Sequence, residues 1–140
     1  MSRQIKNIIA ITFFLICIGL INVAGQNIEI EIRGMNAFTF ILIIAVLLQV
    51  IFFIPSFLLK TEKYYDLVGS LTYITTISLA YFSVENKTMI DSIIYFYVMV
   101  WALRLGIYLF RRVRNDGKDV RFEKAKRHFF WFLQYWMGQA

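Results

Sequence analysis

The sequence is poor in the residues that build metal sites, disulfides and soluble surfaces. Cys17 and His128 each stand alone among 140 residues. Cys17 lies within an apolar run with no second thiol to join it, which excludes a disulfide framework and a thiolate metal site. A lone histidine likewise excludes zinc ligation at the usual ligand spacing. Charged residues make up 17% of the chain, against roughly a quarter in a soluble domain, and they gather in short stretches between long apolar runs. A Walker loop, a dinucleotide glycine fingerprint, paired metal carboxylates and a nucleophile elbow are all missing from the sequence, so no motif assigns a catalytic residue.

What the chain has in quantity is apolar surface, at 59% of residues. The first run, residues 8–23, follows Arg3 and Lys6 and measures about 24 Å as a helix. Its basic start and the small residues Ala24 and Gly25 also resemble a signal peptide. Residues 37–59 form the clearest span, 23 positions free of charge, with Pro55 near the end, where it favours a kink or a terminus. Residues 67–82 carry Thr72, Thr75, Thr76 and Ser78, whose hydroxyls can bond to the preceding turn or to a neighbouring helix. Residues 90–110 hold one charge, Arg104. A basic stretch, 111–128, follows, and residues 129–140 begin another apolar segment too short to cross a bilayer. That segment lies in the interface or belongs to a further helix. The expectation is an all-α polytopic transmembrane bundle, a single domain over 1–140 with four spans and a partial fifth.

Charge orients such a bundle. With the N-terminus inside, twelve Lys and Arg lie on inner segments: Arg3, Lys6, Lys60, Lys63, Arg111, Arg112, Arg114, Lys118, Arg121, Lys124, Lys126 and Arg127. Arg33 and Lys87 are the two left outside, a strong positive-inside bias that puts 111–128 in the cytoplasm. The net charge of +6 therefore points to anionic lipid or phosphate-bearing ligands, and a nucleic-acid partner is not expected, because no soluble basic module is present. The sequon at Asn86 lies too close to the membrane for use.

Arg104 is the most informative position, since a charge at mid-span costs about 2.5 to 3.5 kcal/mol on insertion scales. Two readings stand: a side chain that snorkels to the headgroups, or part of a ligand-facing stripe. Tyr97, Trp101, Arg104 and Tyr108 succeed one another at steps of four, three and four, with Arg111 or Arg112 continuing the face. An interfacial aromatic belt explains Tyr108 well and Tyr97 poorly. Beyond it, the stretch 111–122 mixes bidentate phosphate donors with a turn at 115–117, and it suits either a phosphate-rich ligand or an anionic membrane surface. Gln49 is expected to bond to a neighbouring helix, and Asp66 to cap the start of its own.

Several of these residues carry a family resemblance. Tyr65-Asp66 opening a helix, the run Trp101-Ala102-Leu103-Arg104-Leu105-Gly106-Ile107-Tyr108-Leu109-Phe110-Arg111-Arg112 and then Gly117-Lys118-Asp119-Val120-Arg121-Phe122 resemble the bacterial membrane branch of the steroid 5-alpha-reductase family, catalogued as DUF1295. The resemblance covers residues 66–140. It implies a helical oxidoreductase of a bacterial inner membrane, reducing a carbon-carbon double bond conjugated to a carbonyl in a lipid-like substrate with NADPH. On the matching motif positions, Arg104, Lys118, Asp119 and Arg121 would bind the cofactor near the cytoplasmic face. The proton donor stays unassigned. Members of the family also carry a second cofactor motif, R-H-P-N-Y-x-G-E, which this sequence does not contain, so the expectation is the front part of a longer protein, inactive by itself. Two other readings remain: a non-catalytic membrane protein whose basic loop binds lipid or a partner, and a methyltransferase of lipid or prenyl substrates on a related scaffold.

Overall fold

The computed structural model describes residues 3–116 and 122–139. Among the described residues the regular structure is helical apart from one small hairpin: α1 (Arg3–Ala24), β1 (Glu31–Ile32), β2 (Met35–Asn36), α2 (Ala37–Leu58), α3 (Tyr65–Ser83), α4 (Met89–Asp116), a 3-10 turn (Ala125–Arg127) and α5 (Phe129–Met137). Helices α1, α2 and α4 are long and apolar enough to cross a membrane. The apolar faces they expose, from Ile8 on α1 to Ile107 on α4, suit a hydrocarbon solvent and not water. The expected span at 67–82 forms as α3 but is not among these. Its hydroxyls lower its hydropathy, and they point into the protein: Thr72 and Thr76 bond back one turn to Val68 and Thr72 carbonyls, while Ser70 Oγ donates across to the Ala102 carbonyl at 2.6 Å.

Local chemistry sets the helix ends. Arg33 and Gly34 both take positive φ (54° and 75°) between paired Ile32 and Met35, the two-residue turn that matches strand twist. Asn36 then caps α2, its Oδ1 accepting from the Thr39 amide at 3.1 Å, as N-cap residues do. Pro55 does not end α2. The helix runs on to Leu58 and stops where Lys60 enters the left-handed region at φ 50°. The Thr61 and Lys60 amides close on the Ser56 and Phe57 carbonyls at 2.9 and 3.2 Å, a Schellman arrangement with lysine in place of the usual glycine. At the start of α4, Thr88 and Asp91 cap each other, the Thr88 amide and hydroxyl both donating to Asp91 Oδ2 at 2.7 Å.

Helix α3 is sandwiched between α2 and α4. Close approach to α4 depends on small residues: Ala102 is fully buried, and a Cβ at Gly106 would stand 2.4 Å from Ser70 Oγ. That is the small-residue packing of membrane helices. On the α2 side, Gln49 is fully buried and donates to Thr72 Oγ1 at 3.0 Å, the interhelical bond its position predicted. Within segment 129–140, α5 turns back into the bundle and packs against α1 and α2. Phe132 and Trp136, fully buried, join Phe53, Val68 and Phe122 in the core. Four aromatic rings, Phe53, Phe122, Phe132 and Trp136, meet there in edge and tilted contact, the geometry their quadrupoles favour.

A cationic cleft on helix 4

Helix α4 is 28 residues long, about 42 Å at the helical rise, and so exceeds a hydrocarbon core of about 30 Å. The basic stretch after Phe110 was expected to be loop. It is helix through Asp116, because Arg is a good helix former and no glycine or proline intervenes before Gly117, and cations at a helix C-terminus face the negative end of the dipole. Arg111, Arg112 and Arg114 are thus held in fixed register beneath Arg104. The expected turn at 115–117 is helical where it is described.

The register brings part of the predicted site together. Arg104, Ile107, Tyr108, Arg111, Arg112 and Asn115 line one cleft of about 670 Å³, within the usual size of ligand pockets, about 300–1,000 Å³. A smaller recess above it is bounded by Trp101, Arg104, Leu105 and Tyr108. Trp101 leans edge-on against Tyr73 of α3 (5.0 Å, 79°), which fixes its ring at the side of the stripe. Tyr97 continues the face but stays outside both hollows, 68% exposed. Sequence reasoning missed Ile107 and Asn115. Asn115 continues the same periodicity and becomes visible once α4 is extended beyond Phe110.

Three guanidinium groups give the cleft its charge. Asp66, in the first turn of α3, reaches Arg112 at 3.8 Å, and the N-cap position belongs to Tyr64, which makes no side-chain capping bond. Arg104 and Arg111 make no ion pair with any described carboxylate. Lys118, Asp119 and Arg121 lie outside the described residues, so Arg104 alone of the expected cofactor ligands is placed. A second ion pair went unread in the sequence: Lys126 Nζ donates to the buried Glu62 Oε2 at 2.6 Å. Together the two pairs tie the α2–α3 corner, the end of α4 and the 3-10 turn to one end of the bundle. Among the described residues no group of His, Cys, Asp and Glu is placed to hold a metal.

The family described as "Protein of unknown function (DUF1295)" matches residues 52–140. This chain belongs to DUF1295. The DUF1295 match begins at Phe52, inside α2, and not at Asp66, so it takes in the α2–α3 corner with Glu62 as well as α4. That is the contiguous unit the two ion pairs join. No curated protein and no solved structure matches the chain.

Proposed function

We propose that this chain supplies a cofactor-binding part of a membrane oxidoreductase of the bacterial inner membrane, one that uses NADPH to reduce a carbon-carbon double bond conjugated to a carbonyl in a lipid-like substrate, and that it is not active by itself. The observation that carries the reading is the α4 cleft, where Arg104, Tyr108, Arg111 and Arg112 share one face a few residues before Lys118, Asp119 and Arg121. Guanidinium groups are bidentate phosphate donors, the rings of Tyr108 and Trp101 offer stacking faces, and the volume suits a ligand larger than a single anion. The donor set therefore fits a dinucleotide. Arg104 and Arg111 lie about 10.5 Å apart along the axis, so they would hold phosphates at separate points of an extended ligand, and Lys118, Asp119 and Arg121 would join Arg104 in binding it by the family resemblance. NADPH, when bound, supplies the hydride. The apolar helix faces would bring a lipid-like acceptor to the same depth and keep water from it.

The same reading includes the topology. α3 would be a fourth span, since it is packed between two candidate spans and turns its hydroxyls toward them. α5 would be a partial fifth, and the N-terminus and the basic end of α4 would lie in the cytoplasm.

Binding tests this directly. Tryptic cleavage at Lys118 and Arg121 in purified membranes should be slowed by NADPH and not by S-adenosylmethionine. Arg104→Leu should weaken NADPH at least tenfold, the loss of one charge-assisted contact. Protection by S-adenosylmethionine alone would move the assignment to a methyltransferase, and protection by anionic lipid without any nucleotide effect would remove the enzyme reading.

A further inference from the structure

A second hollow lies at the same end of the bundle and shares no residue with the α4 cleft. It is an open-sided cavity of about 380 Å³ between α2 and α3, walled by Phe52, Pro55, Leu59, Leu67 and Leu71, with Tyr64 at one side. The chain leaves it there by construction. Lys60 in the left-handed conformation turns the backbone sharply after α2, so Leu59 flares outward, 74% exposed, and cannot fill the gap between the two helices. An apolar slot of this kind holds no water favourably, for water needs two to four polar partners.

Tyr64 also forms a wall of a neighbouring recess of about 200 Å³ whose other residues are Lys63, Phe110, Val113 and Arg114. Its ring stacks on Phe110 at 6.4 Å and 24°. One side chain thus separates a slot for hydrocarbon from a pocket for an anion. Among the described residues no carboxylate compensates the charge there. Lys126 and Arg112 face Glu62 and Asp66, whereas Lys63 and Arg114 form no ion pair with a described carboxylate.

We propose that these two hollows form one binding site for an anionic membrane phospholipid, with an acyl chain in the α2–α3 slot and the phosphate between Lys63 and Arg114. A free phosphate would leave the slot empty, and a zwitterionic lipid would bring its own cation to a site that already carries two. The site stands whether or not the α4 cleft binds a dinucleotide, since the two have separate residues.

Native mass spectrometry of the full chain released from detergent tests it, with phosphatidylglycerol, phosphatidylcholine of the same chains, and glycerol phosphate as probes. Phosphatidylglycerol should be retained over phosphatidylcholine, and glycerol phosphate should not displace it. Lys63→Ala and Arg114→Ala should each lower its retention roughly fivefold, the worth of one basic contact to an anionic lipid. Lys63→Arg should retain it. Leu67→Trp, which fills the slot and leaves both cations, should also reduce retention, and a circular dichroism spectrum equal to the parent's shows that the variants fold. Equal retention of the two lipids overturns the proposal, as do displacement by glycerol phosphate and indifference to Leu67→Trp in a folded variant.

Discussion

Gln49 and Thr72 show how a single polar contact inside an apolar bundle is weighted. Gln49 Nε2 donates to Thr72 Oγ1, which in turn donates to the Val68 carbonyl, while Gln49 Oε1 has no described partner. Removing the two partners is therefore not equivalent. Gln49→Leu keeps the volume and deletes an unsatisfied carbonyl along with the bond, so its cost should be small, under about 1 kcal/mol. Thr72→Val strands the buried amide and should cost about 1 to 3 kcal/mol. Thermal unfolding in one detergent, followed by circular dichroism, ranks the two; equal costs would show that the contact is worth little. Glu62 follows the same logic. Lys126→Ala deprives an almost fully buried carboxylate of the ammonium that donates to it at 2.6 Å, and should destabilise the chain by about 1 to 3 kcal/mol. The Gln49 contact was legible in the sequence, because a lone amide in an apolar span has few uses. The Glu62 pair was not, since its partners are 64 positions apart and either alone reads as an ordinary loop charge.

At the level of elements, periodicity identified the helices and backbone chemistry decided where they stop. Pro55 favoured a kink or a terminus, yet it lies inside α2, which continues to Leu58. The true stop is a lysine in a conformation that costs an L-residue about 1–2 kcal/mol. Lys60→Gly should therefore hold or raise the unfolding midpoint, and Lys60→Val should lower it. The α3–α4 contact is more demanding. Gly106→Leu drives a side chain into Ser70 Oγ and the helix behind it, an overpacking that should cost about 1–3 kcal/mol, whereas Leu103→Ala on the exposed face should cost much less. The hairpin at Arg33 and Gly34 went unread because strands of two residues are too short to show alternation.

For the whole molecule, the two ion pairs gather Glu62, Asp66, Arg112 and Lys126 at one end, with Lys63 and Arg114 beside them, while Arg33 and Lys87 belong to the hairpin and the α3–α4 corner at the other. A membrane-impermeant maleimide reads that polarity. In a Cys17→Ser background, Lys87→Cys should be labelled in intact cells, and Lys63→Cys only in inverted vesicles. Labelling of both from the same side would overturn the four-span topology. The chain itself should stay with the membrane after alkaline extraction, as expected of three helices long and apolar enough to span it.

The sequence alone determined that this protein is built from helices for a lipid solvent, because span length and charge segregation are properties of the chain that need no partner. It also carried the family, through a run of residues on one helix and the stretch just after it. The tertiary structure decided which polar groups meet and that α5 belongs to the core. Those outcomes turn on the close approach of side chains far apart in the sequence, whose burial and pairing are fixed only when the helices pack.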